Sequence, residues 1–136
     1  MWRILIAAVL ILHGFGHVMG VFPVFGLFKE QGLSSRSWLL TNLLGEPFTS
    51  WLSLLFWLAA LLGFVGAGLG VLNWLVPYEW WRAMAVVGAI ASLMGLSLYW
   101  RAFFTNFNKL SAIGVDLIVL VTLLWLQWPT DAMLDS

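Results

Sequence analysis

Four stretches of the chain are almost continuously apolar over lengths that suit a bilayer crossing. A hydrocarbon core about 30 Å thick takes roughly 20 helical residues. The first charge-free run begins at Ile4 and is expected to stay helical to about residue 22, because Pro23 disfavours helix at the residue before it. A second run extends from Trp51 to Val76 and ends at Pro77, and a third lies between Arg82 and Arg101. The fourth, Leu110 to Trp128, is closed by Pro129 and holds one ionisable residue, Asp116. The pattern predicts spans at about 4–22, 51–76, 81–103 and 110–128. Continuous apolarity, with no alternation at period two, disfavours a β-barrel. The expected fold is all-α, a single integral-membrane four-helix bundle covering residues 1–136.

Tryptophan placement agrees, since indoles favour the membrane interface. With the N-terminal end named side A, Trp2, Trp74, Trp80, Trp81, Trp125 and Trp128 gather there, Trp38, Trp51 and Trp100 mark side B, and Trp57 sits inside a span. The one long connection, between Pro23 and Ser50, contains Ser35 to Leu44. That segment is a candidate interfacial helix, with Ser34 or Ser35 as cap and Gly45 as stop. The other links are short, which makes successive helices antiparallel neighbours. Lys29, Arg36, Arg101 and Lys109 lie at side B and lean it towards the cytoplasm.

Composition sharpens this picture. Hydrophobic residues make up 62% and charged residues 9% of the chain, too few for the surface of a soluble domain. Six basic residues balance six acidic ones, so no basic patch is available to hold nucleic acid. The absence of cysteine removes thiol catalysis, disulfides and iron–sulfur ligation. Small residues supply packing seams: Gly16 with Gly20, Gly66 with Gly70, and Gly88, Ser92 and Gly95. Their alternative use is to line a ligand cavity.

The candidate chemistry is confined to three residues. His13 and His17 are four positions apart, so on a helix their imidazoles share a face roughly 6 Å apart. That spacing suits a metal ion, although Gly14 replaces the glutamate of a His-Glu-x-x-His protease helix. It is unsuited to bis-histidine haem, while one histidine alone can ligate a haem or chlorin. At about 1.5 Å per residue from side B, His17, Asp116 and His13 lie roughly 6, 9 and 12 Å deep. Asp116 therefore falls between the histidines if the first and fourth helices touch. Intramembrane ionisable residues are costly and face the protein interior, paired. Tyr99 and Arg101 are supporting polar candidates at the same end, Arg101 as a partner for Asp116 or as a snorkelling surface residue. The alternatives are a metal or cofactor site, a proton relay or polar ligand pocket, and plain interhelical hydrogen bonding. No substrate follows, and enzymatic activity is left open.

His13-Gly14-Phe15-Gly16-His17, the Tyr99-Trp100 pair closing the third helix, and Asp116 early in the fourth resemble a group of uncharacterised small bacterial four-helix membrane proteins. In that group the fourth-helix residue is more often asparagine. Architecture alone is also similar to DoxX-like proteins, whose first-helix Gly-x-x-Lys pattern is missing. The resemblance implies a multi-pass protein of the bacterial inner membrane and implies no mechanism. The lipid bilayer is the expected partner. Abundant tryptophan, small-residue seams and the lack of a sizeable extramembrane region also fit an accessory subunit of a larger membrane complex, or a homo-oligomer.

Overall fold

A computed structural model describes residues 1–135, which form helices and connecting turns. The first span is built from α1 (Trp2–Gly16), α2 (Val18–Val21) and a 3-10 turn, Phe22–Phe25, into which Pro23 is accommodated. A short α3 (Thr41–Leu44) precedes α4 (Glu46–Val71), the second span. The third span joins a 3-10 turn, Tyr78–Trp80, to α5 (Trp81–Leu98). The fourth is α6 (Asn106–Leu120) continued by a π-helical turn, Val121–Trp125, and α7 (Asp131–Leu134) follows. All four spans have the length and apolarity to cross a membrane. The chain is a multi-pass four-helix membrane protein.

Hydrogen bonds at the two ends establish the up-and-down course. At side A, Arg3 pairs with Asp135 at 2.9 Å, and Tyr78 and Arg82 both reach Asp131. At side B, Ser34 N–H donates to Arg101 O, Trp38 Nε1–H to Ser97 O and Tyr99 Oη–H to Thr49 O.

Several boundaries differ from the sequence expectation. The second helix starts earlier, because Pro47 suits the first helical turn, where its missing N–H is not needed. It also ends earlier, at Val71; Asn73 and Leu75 then take positive φ values of 54° and 63° in the turn before Pro77. The segment from Ser35 becomes helical only over Thr41–Leu44, because Ser37 Oγ accepts from the N–H groups of Leu39 and Leu40 and holds a turn instead. Gly45 does stop that helix, at φ 87°. Trp81 is buried against Gly70, unlike the exposed Trp74, Trp80 and Trp125.

The second helix is the hub. It packs along α1 on one side and α5 on the other, with glycines at the tightest points. A Cβ on Gly63 would stand 2.7 Å from Gly88 Cα, and one on Gly68 would stand 2.9 Å from Ala7 O. Gly20 and Gly95 lie against Trp57, which is fully buried. Gly16 has open space around it. An apolar cluster containing Leu10, Phe64, Ala85, Ala89 and Val119 fills the side A half, and another around Trp57, Leu96 and Phe103 fills part of the side B half.

Candidate functional site

The site begins with an irregularity in the first span. His17 N–H bonds to Gly14 O, three residues back instead of four, at the break between α1 and α2. The side chain of His17 then turns back, and its Nδ1 lies 3.0 Å from His13 O. A carbonyl only accepts, so His17 Nδ1 carries a proton and its Nε2 faces outward.

That Nε2 stands 2.7 Å from Ser92 Oγ on α5. Ser92 Oγ in turn lies 2.5 Å from Asp116 Oδ2 on α6, and Asp116 Oδ1 lies 2.8 Å from His13 Nε2. Three spans thus meet in one chain of hydrogen bonds, His13–Asp116–Ser92–His17. Asp116, Ser92 and His17 are buried, and His13 is partly open. The His13 ring stands edge-on to Phe64 with centroids 4.5 Å apart. His17 stacks near-parallel to Phe64 and Trp57.

Proton bookkeeping allows two arrangements. In one, Asp116 is a carboxylate accepting from Ser92 and His13, and Ser92 accepts from a doubly protonated His17. In the other, Asp116 carries the proton on Oδ2 and donates to Ser92, which donates to the free lone pair of a neutral His17. Both contain the same number of protons and differ by a concerted shift through one hydroxyl. His13 Nε2–H donates to Asp116 in the carboxylate arrangement, which leaves the Nδ1 lone pair of a neutral His13 pointing away from the network. Among the described residues nothing hydrogen-bonds that Nδ1, and it is not sealed from the exterior.

His13 and His17 both border a cavity of about 300 Å³ between the first and fourth spans. Apolar Leu12, Phe107 and Val115 supply much of its wall, Asn108 and Ser111 add polarity, and Gly16 leaves it room. Leu12 and Phe107 are exposed on the lipid side.

All three sequence candidates, His13, His17 and Asp116, come together, with ligand-type atoms within 4.8 Å of one another. The site lies deeper than residue counting suggested. Both spans extend further towards side B, so Asp116 sits about 15 Å along α6 from Asn106. Tyr99 and Arg101 lie apart from it: Tyr99 ties α5 to α4 through Thr49 O, and Arg101 is at the side B surface. Asp116 takes His13 and Ser92 as partners in place of Arg101. Ser92 is the member that the sequence pattern assigned to packing. A hydroxyl among the glycines and alanines of the third span was the available signal, since an intramembrane hydroxyl that is not bonding its own helix needs a partner.

Comparison with known proteins found no match to a family model, a curated protein or a solved structure.

Proposed function

We propose that this protein binds a small, largely apolar molecule carrying one O–H or N–H donor, and exchanges a proton with it at His13 Nδ1. The observation that carries this reading is His13, which Asp116 engages at Nε2, which borders the cavity between the first and fourth spans, and whose second nitrogen makes no hydrogen bond among the described residues. A carboxylate that fixes the tautomer of an imidazole makes the opposite nitrogen a well-placed acceptor. In the arrangement with neutral His17, a proton gained at His13 Nδ1 is matched by passage of its Nε2 proton to Asp116 Oδ1, of the Oδ2 proton to Ser92 and of the Ser92 proton to His17 Nε2, which gives a second location for the charge. The cavity is at the small end of ligand-pocket volumes, and its wall suits a compact apolar body.

The network does not continue to side A. Leu10, Phe64, Ala85 and Val119 make that direction apolar, with no polar group to carry the chain onward, so the arrangement supports exchange at one mouth and gives no support to a transmembrane proton path.

A metal ion is the second reading, favoured by the convergence of two imidazoles and a carboxylate. Tetrahedral coordination at about 2.1 Å places ligand atoms about 3.4 Å apart. Here the nearest pair is hydrogen-bonded at 2.8 Å, and His17 Nε2 is engaged by Ser92. Side-chain rearrangement would therefore have to precede binding, which ranks this reading below the first.

The test compares 4-methylphenol with toluene as probes of purified wild type in detergent. The phenol is expected to bind at least about tenfold more tightly, because a site that accepts a hydrogen bond discriminates against a ligand lacking the donor. His13→Ala is expected to abolish the preference. Equal binding of both probes, or a preference unchanged in His13→Ala, sinks the proposal; metal retained through purification and lost in His13→Ala and His17→Ala would establish the second reading instead.

A further inference from the structure

A separate cavity of about 390 Å³ lies at the side B surface, between the long first connection and the end of α5. Arg36 and Arg101 line it together with Trp38, Trp100, Ser37 and Thr41, and its lining contains no acidic residue. The frame is fixed by hydrogen bonds. Ser34 N–H donates to Arg101 O at 2.9 Å, Trp38 Nε1–H to Ser97 O at 2.8 Å, and Ser37 N–H to Thr41 Oγ1 at 2.8 Å. The guanidinium groups are not consumed by this frame. Arg101 has no ion pair or side-chain hydrogen bond among the described residues, and Arg36 approaches Glu46 only at 3.8 Å, with both side chains exposed. Such a pair contributes little.

We propose that this cavity is a binding site for the phosphate of an anionic phospholipid headgroup. Each guanidinium offers a planar fork of N–H donors matched to phosphate oxygens, and two such forks with no carboxylate in the lining to hold a quaternary ammonium favour a headgroup of net negative charge over a zwitterionic one. The depth is right as well. Trp100 at the end of the third span and Trp38, bonded to Ser97 O beside it, are exposed indoles of the kind that sit where the headgroup layer meets the hydrocarbon, and basic residues at that level are attracted to anionic lipid. Free phosphate shares the recognition chemistry but brings no acyl chains to lie beside those indoles. The inference is independent of the His13 site.

The experiment places wild type in phosphatidylcholine nanodiscs, titrates in phosphatidylglycerol, and counts retained lipid by native mass spectrometry. One phosphatidylglycerol per chain is expected. Arg36→Gln and Arg101→Gln should each weaken retention about tenfold, and Arg101→Lys should restore only part of the loss, since an ammonium lacks the fork. Lys29→Gln, outside the cavity lining, should leave retention unchanged. Both arginines are exposed, so helical circular dichroism is expected to match wild type in every variant. Equal retention of phosphatidylcholine, or wild-type retention in the Arg36→Gln/Arg101→Gln double variant, overturns the site. Inorganic phosphate that binds with the same arginine dependence while phosphatidylglycerol does not would overturn the lipid source.

Discussion

His13 Nε2 and Asp116 Oδ1 stand 2.8 Å apart across 103 residues of sequence, and this bond joins two spans that otherwise make little contact. The first and fourth helices each pack on a neighbour, α4 and α5 respectively, and leave a crevice between themselves. A cavity with polar residues lies on the side B side of the bond, and an apolar cavity lined by Trp2, Val9, Ile118 and Thr122 lies on the side A side. The bond therefore acts as a crosspiece within a laterally open seam.

A double-mutant cycle on His13 and Asp116 is expected to give a coupling of about 1–2 kcal/mol, because removal of either partner strands a buried polar group. Interhelical hydrogen bonds in membranes average about 0.6 kcal/mol, so a value at or below that would make the pair ordinary packing glue. The exposed Arg36–Glu46 pair should couple near zero in the same assay. Unfolding in mixed micelles with increasing sodium dodecyl sulfate measures both.

Ser92→Ala should separate His17 from Asp116 without disturbing His13. In ¹⁵N spectra of histidine-labelled protein, the wild-type His17 nitrogens are expected to respond when Asp116 is replaced by Asn. In the Ser92→Ala background that response should vanish. An undiminished response would mean that the hydroxyl is not the connecting element.

Glycines distinguish packing from lining. Gly63→Ala drives a methyl group into the Gly88 backbone and the Met84 carbonyl, 2.7 and 2.8 Å away, and should destabilise by about 1–3 kcal/mol. Gly16→Ala meets nothing and should stabilise by about 0.5–1 kcal/mol through helix propensity. Gly16→Leu should fold and lose 4-methylphenol binding by filling the cavity. Stability curves and the binding assay test the three variants.

At side A, the Asp131 carboxyl is held below the ordinary carboxylate range, first by the Tyr78 hydroxyl and then by Arg82. A depressed folded value means that the contribution is complete above the unfolded value of about 3.9 and disappears as pH falls through the lower folded value. Hydrogen exchange of the α7 amides should accordingly accelerate in acid, below about pH 4, and Asp131→Asn should raise the exchange rate already at neutral pH. The carboxylate is fully exposed, so added salt should narrow the difference between wild type and variant.

The span count was legible because each crossing is a long apolar run, a signal that survives local error. Helix ends were less so. Pro77 marked where the second helix had to stop, whereas the chain left the helix at Val71, after a glycine-rich stretch that weakens the last turn. The interfacial helix was overestimated because its apolar periodicity ignored the competing Ser37 hydroxyl. In the site, the spacing of His13 and His17 and the isolation of Asp116 brought out three of four members. Ser92 escaped because, in a sequence, a serine that connects helices looks the same as one that merely lets them approach. The aromatic walls from Phe64 and Trp57 depend on contacts between spans, which periodicity along a single span does not encode.

The apolar block beneath the network has an electrical consequence. His13 is the twelfth residue of a 24-residue span. A proton that reaches it from side B and stops there has crossed about half of the transmembrane field, equivalent to about 1 kcal/mol at 100 mV. Under the proposed exchange, occupancy of that proton should follow voltage, while steady current should not flow. The protein would then behave as a capacitor plate set within the membrane, charged and discharged through a single face.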